Sequence, residues 1–438
     1  MKRTLALILV ALMLLASCAP APTPTPEPPA PSATASSEPT PTETATPRIM
    51  LTKEQMLEDY EFLWQTLRES YPFLGVAERL GVNVDRVYST NKEEIENGGD
   101  RAVVSYQKFL YYAINPLYTC GHLGVLGAND YKTYYSTYSS IVAGNAGARF
   151  ELLFDVLQQP HVREAYASLG VVIDDSAPLD TYVGEAHPTS DVTPITNTSV
   201  SKREVNGQSV GIIKVPSFLY GYEDADAVML RKFYKEIADY DHLIIDITGN
   251  GGGSSLYWRE HLVSPLISEP MQWSARLLFK NSDIANTYID TMPWLNKKPI
   301  SELPTLPALN QDDLLDLDGF ILSESQLLPA EDSINFKGRI WLLVDEIVYS
   351  NAEAFTVFCK TTGFATIIGT PTAGDGINFD PFLIALPNSG IVVRFSVLYG
   401  INPDGSNNEE FGTTPDIITE TGTDAMTACL AEIERLNT

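Results

Sequence analysis

Between Arg339 and Gly376 the chain has few ways to fold. Ile340 to Val344 is a short unbroken apolar run, which suits a strand covered on both faces. Asp345 to Tyr349 turns the chain, and Tyr349-Ser-Asn-Ala-Glu-Ala-Phe355 follows, with Phe355, Phe358 and Cys359 at helical spacing. The pattern predicts strand, turn, helix and a second strand at Thr366–Ile368, ending in a loop flanked by Gly374 and Gly376. Ser350 falls at the helix entrance, among unpaired N–H groups and the positive end of the dipole. The segment alone fits a plain N-cap; it also fits a nucleophile beside a site for a developing oxyanion.

The first 50 residues set the address of the chain. Lys2 and Arg3 precede an apolar run, Leu5 to Leu15, that is short for a membrane span. The run ends in Leu15-Ala-Ser-Cys18, which resembles a bacterial lipobox and implies cleavage before Cys18 and lipid attachment to it. Residues 1–18 are therefore expected to be a lipoprotein signal peptide, and residues 19–50, rich in Pro and Thr, a disordered tether. The expected location is extracytoplasmic, anchored to the cell membrane by lipid.

Residues 51–438 suffice for two domains. The full chain carries 56 Asp plus Glu against 29 Lys plus Arg, a balance that argues against a nucleic-acid partner. Cys120, Cys359 and Cys429 lack the spacing of a disulfide framework or a zinc site, so no metal is expected. Residues 51–200 read as a mainly helical domain. Thr52-Lys-Glu-Gln55 has the form of a capping box, the helix it opens should stop near Tyr71-Pro72, and a second helix should cover Val103–Ile114. Arg149–Ala167 also looks helical, whereas residues 82–100 are polar and give no pattern. His122 sits between Gly121 and Leu123-Gly124 in an apolar stretch, where a structural role and a chemical one are both open.

From Ser209 the pattern becomes α/β: an apolar run at Val210–Phe218, a helix at Ala225–Tyr240 and a buried strand at His242–Ile247. That strand runs into Asp246-Ile-Thr-Gly-Asn-Gly-Gly-Gly253, which fits neither a dinucleotide fingerprint nor a phosphate loop. Its glycines suit a tight turn or a backbone donor aimed at a substrate oxygen. Residues 256–337 read as a lid or wall inserted into the 201–438 core.

Four segments, in order, resemble the tail-specific (C-terminal processing) serine proteases. Asp246–Gly253 is similar to that family's Asp-Leu-Arg-x-Asn-x-Gly-Gly loop, and Ser350-Asn-Ala-Glu353 to its Ser-x-Ala-Glu turn. Ile367–Gly376 resembles Ile-Gly-x-x-Thr-x-Gly-x-Gly, and Asn402–Ile417 resembles Pro-Asp-Gly…Glu-x-x-Gly-x-x-Pro-Asp-Ile. Cys120-Gly-His122 looks like the Asp-Gly-His of the branch similar to the tricorn protease core. The resemblance implies an α/β fold: a small N-terminal helical domain plus a protease core like the ClpP/crotonase fold.

The resemblance also implies a serine endopeptidase with Ser350 as nucleophile and His122 as base. Glu409, or else Glu410, would orient His122, and the N–H groups of Gly252 and Asn351 would form the oxyanion hole. No cofactor is needed. Asp375 stands where the Ser-Lys branch has its lysine, so His122 is the base with motif support, Lys214 and Lys360 being fallbacks. Asp375 itself is given no catalytic part, and its replacement by Asn is expected to leave most activity intact. Thr248 and Cys120 depart from the family's Arg and Asp. The competing reading is a catalytically silent lipoprotein of the same fold that binds peptide or an apolar ligand.

Overall fold

The computed structural model describes residues 49–117, 120–145, 147–173, 197–219 and 222–436. The signal segment, Cys18 and nearly all of the tether lie outside the described residues. A six-stranded sheet runs in the order Ile417–Ile418, Thr366–Gly369, Arg339–Val344, His242–Asp246, Gln208–Lys214, Ser199–Val205. All neighbours are parallel except the last pair, which is an antiparallel hairpin at the edge.

The apolar run at 340–344 is central in this sheet because both of its faces are covered. Leu342 and Val344 join one buried cluster with Phe355, Phe358, Leu230 and Phe233, while Trp341 and Leu343 join another with Cys429 and Ile433. That is the two-residue alternation of a strand, with the helices Asn351–Thr362 and Glu223–Glu236 on one side and Ala425–Leu436 on the other.

Thr52 and Gln55 make the capping box of the first helix, Lys53–Ser70, which stops before Pro72 with Tyr71 as its C-cap. The second expected helix forms over Val103–Ile114. Their apolar faces merge with those of Phe382–Ala385 and Val392–Phe395 into one cluster, so the helical region and the core share an interior. The short strand Gly124–Val125 pairs with Val392–Phe395, which fixes the turn carrying His122 against the core.

Three stretches differ from the sequence reading. Residues 82–100 hold a helix, Val84–Glu96, capped by the Asn83 side chain; only Val84 and Ile95 are fully buried on it, which left no periodicity to read. The expected helix at 149–167 is two, Ala148–Leu157 and Pro160–Ser168, because Pro160 can start a helix but not continue one. The 256–337 insertion carries strands besides its helical pieces: Met271–Phe279 pairs with Gly319–Leu327 on one side and with Leu398–Ile401 of the core on the other.

Candidate active site

The glycine loop, the serine turn and the 370–376 loop leave the carboxyl ends of three adjacent parallel strands. Open α/β sheets generally present their ligand sites there. Gly252 takes φ 103° and leaves a gap that a side chain would close: a Cβ would stand 2.9 Å from both Ser350 Cβ and Asn351 N. The 370–376 loop is joined to the serine turn through Ser350 N, which donates to Gly374 O at 3.1 Å.

Ser350 occupies the N-cap position of helix Asn351–Thr362, yet its hydroxyl makes no capping hydrogen bond. Its backbone, φ 56° and ψ −126°, lies outside the regions an L-residue ordinarily adopts. A serine held strained between strand and helix, its oxygen not spent on the cap, has the geometry of a nucleophile elbow. Among the described residues six non-glycine residues have positive φ; three are asparagines, and the others are His122, Ser350 and Asp375. Histidine and aspartate tolerate this region better than most residues, whereas serine at this ψ does not.

His122 reaches the site from the helical region. Its turn rests on the end of the first helix, where Tyr71 Oη donates to Cys120 O at 2.8 Å and a Cβ on Gly121 would meet the Phe73 ring at 2.6 Å. Ser396 N donates to Gly121 O at 2.7 Å from the other side. The His122 ring lies 5.1 Å, centroid to centroid, from that of Tyr349, the residue before Ser350. Ser350 Oγ and the His122 ring form no direct hydrogen bond; such contacts often tighten only when substrate binds.

The carboxylate against His122 Nδ1 is Asp375, through Oδ2, and not Glu409 as the family pattern implied. Asp375 is held by Tyr349 Oη, which donates to Oδ2 at 3.2 Å, and by Asn378 Nδ2, which donates to Oδ1 at 2.9 Å. Burial pushes the Asp375 carboxyl up, but the facing His122 charge and the hydrogen bonds from His122 and Asn378 hold it below the ordinary aspartate value. Asp375 carries no sequence signal for this part, because a family lysine position gives no hint that a carboxylate there can turn toward the histidine.

Glu409 is buried next to Asp375, and neither of its oxygens has a partner in ordinary hydrogen-bond geometry. Burial, and then the Asp375 charge, raise its pKa above that of a free glutamate. Glu410, the alternative, turns away to pair with Arg79 at 2.7 Å. Arg79 also grips Asp313 of the insertion, tying the 256–337 wall to the loop that carries Glu409.

Of the two expected oxyanion donors, Asn351 N–H has no acceptor among the described residues, as befits the first residue of a helix. Gly252 N–H, by contrast, donates to Asn250 Oδ1 at 2.8 Å, so what Gly252 supplies is open space rather than a free donor. The fallback lysines are engaged elsewhere. Lys214 bonds Asp246 Oδ1 at 2.9 Å and Thr248 O at 2.7 Å, and Lys360 bonds Asp416 at 2.5 Å.

Glu353 of the serine turn is fully buried and accepts from Asn408 Nδ2 at 2.8 Å and Thr413 Oγ1 at 2.6 Å. It binds helix Asn351–Thr362 to the 402–416 loop. Burial raises its pKa to about 7 despite these donors.

Residues 209–419 match the sequence model of Peptidase family S41. Among solved structures, mature CPAF in complex with lactacystin aligns with TM-score 0.52 at 16% identity, covering 88% of this chain and 98% of its own. A candidate peptidase from Parabacteroides merdae aligns with TM-score 0.51 at 19% identity, covering 89% of this chain and 98% of its own. Both share the fold, an α/β core with a helical N-terminal region.

The Glu353 shift carries a pH signature. A carboxyl whose pKa is raised on folding binds more protons folded than unfolded, so its contribution to stability is present in acid and lost as pH rises toward about 7. The stability advantage of wild type over Glu353→Gln should therefore shrink between pH 5 and pH 8, by on the order of 3 kcal/mol. Denaturant melts of both proteins at the two pH values measure it. An advantage that stays constant or grows would show Glu353 to be ionised throughout.

Proposed function

On the premise that residues 209–419 are a serine peptidase domain of family S41, we propose that the chain is an endopeptidase working through Ser350, His122 and Asp375. It acts on proteins or peptides outside the cytoplasm while anchored by lipid at Cys18. The observation that carries the catalytic assignment is the His122–Asp375 contact, made across the junction of helical region and core, beside a serine in strained backbone.

With Nδ1 turned to Asp375, His122 presents Nε2 as the remaining acceptor. The ring takes the Ser350 proton as Oγ adds to the scissile carbonyl, and Asp375 stabilises the imidazolium that results. The carbonyl oxygen becomes an oxyanion near Asn351 N–H and the positive end of helix Asn351–Thr362, in the gap at Gly252. The imidazolium then gives its proton to the departing amine, leaving an acyl-enzyme. Water, deprotonated by the same ring, releases the acid and restores Ser350. Tyr349 braces the arrangement by packing its ring at a tilt near His122 and bonding Asp375.

A fluorophosphonate should label wild type at Ser350, and Ser350→Ala should abolish labelling and peptide turnover together. His122→Ala should cost nearly as much turnover as Ser350→Ala, and the double variant little more, because the groups act as one unit. Substantial turnover by His122→Ala would overturn the assignment of the base.

Anchoring is tested separately. Replacing Cys18 by Ala should shift the protein from the membrane fraction to the soluble one or leave the precursor uncleaved. A variant that fractionates and migrates like wild type would contradict a lipid anchor.

A further inference from the structure

Asp375 reaches His122 from left-handed backbone, φ 54°, so the direction of its side chain depends on what holds the peptides on either side of it. A residue has two soft backbone dihedrals, and the peptide planes they turn are both pinned here. The preceding plane is held at Gly374 O, which accepts from Ser350 N at 3.1 Å. The following plane is held at Gly376 N, which donates to Asn408 Oδ1 at 2.9 Å. Asn408 is buried, and its Nδ2 donates to Glu353 Oε1 at 2.8 Å and to Asn402 Oδ1 at 3.0 Å. Glu353 belongs to helix Asn351–Thr362, which begins directly after Ser350. The backbone of Asn408 presses on the same loop, since a Cβ on Gly374 would run into Asn408 O.

We propose that Asn408 is a positioning residue of the site: through Gly376 it fixes the backbone of Asp375, and through Glu353 it ties that backbone to the helix behind Ser350. The proposal rests on the peptidase reading above and adds a buried residue that acts through Asp375. The place calls for an amide, because one end of the side chain must accept from Gly376 N while the other donates to Glu353. Aspartate would set a second carboxyl against Glu353. Alanine would leave Gly376 N–H without its acceptor in the interior, at the cost of an unmet buried donor. A buried network in which each member is satisfied specifies one arrangement of its groups. The arrangement specified here is the approach of Asp375 to His122, with Ser350 N holding one side of Asp375 and Asn408 the other.

Asn408→Ala tests the role, alone and combined with Asp375→Asn. Two readouts are taken: kcat and KM on a peptide that wild type cleaves, and the low-field proton resonance of the His122 N–H facing Asp375, assigned by its loss in Asp375→Asn. Asn408→Ala should lower kcat on the order of 10²-fold, keep KM within about threefold, and shift the resonance upfield or remove it. In the Asp375→Asn background the same substitution should cost less than about threefold, because the charge it positions is already absent. A merely structural role would cost the same factor in both backgrounds or leave the resonance in place, and either result overturns the proposal. If Asn408→Ala does not fold, Asn408→Asp combined with Glu353→Gln decides, since it reverses the bond between the two side chains and keeps an acceptor for Gly376 N. That pair should retain the resonance; a folded pair without it overturns the proposal. If wild type cleaves and Asn408→Ala matches its kcat, the positioning role falls and the peptidase reading stands. If wild type cleaves no peptide but the resonance responds to Asn408→Ala, the positioning role stands and the peptidase reading falls.

Discussion

The contact between His122 Nδ1 and Asp375 Oδ2 joins two parts of the chain that are far apart in sequence. His122 belongs to a turn resting on the first helix; Asp375 belongs to a loop leaving the central sheet. An imidazole and a carboxylate that meet inside a protein each lose hydration, and only a well-formed contact with further hydrogen bonds offsets that loss. Tyr349 and Asn378 supply those bonds to Asp375. Left-handed backbone at both His122 and Asp375 aims the two side chains at each other. The surrounding packing must therefore sustain strain as well as charge, and the shared apolar cluster that runs from Leu51 to Ile401 does so.

Around this contact stand two further buried carboxyls, Glu409 and Glu353. Three negative charges could not coexist in so small a volume, and the environment resolves the conflict by giving them different proton affinities. Asp375, facing the imidazole, is held below the ordinary aspartate value; Glu409, behind it, is raised above the ordinary glutamate value; Glu353, bonded by Asn408 and Thr413, is raised to about 7. Asn408 and Thr413 of the 402–416 loop thus hold Glu353 from within the interior.

The sequence made the framework legible where the physics is local. The apolar run at 340–344, the capping box at Thr52 and the stop at Pro72 each depend on a few adjacent residues, and each forms where the pattern places it. The likeness of the core to a peptidase family was legible too, because four spaced segments agree. Which carboxylate faces His122 was not, since Asp375 and Glu409 are both in sequence-plausible loops and only the fold decides their order of approach. The occupation of Gly252 N–H by Asn250 was likewise invisible: a glycine triplet announces backbone freedom, not where the donors point. The sheet in the 256–337 insertion escaped because its partner strand, Leu398–Ile401, lies across the nucleophile domain in sequence.

The central claim is the division of labour between Asp375 and Glu409, and isosteric amides test it most directly. Asn in place of Asp375 keeps the shape but removes the charge that fixes and stabilises the histidine. Asp375→Asn should therefore lower kcat/KM on a cleaved peptide by about 10³ to 10⁴-fold. Asp375 and not Glu409 bonds His122, and Gln keeps the shape at position 409, so Glu409→Gln should stay within about tenfold of wild type. The reverse outcome, an inactive Glu409→Gln beside an active Asp375→Asn, would return the charged role to Glu409 and contradict the account.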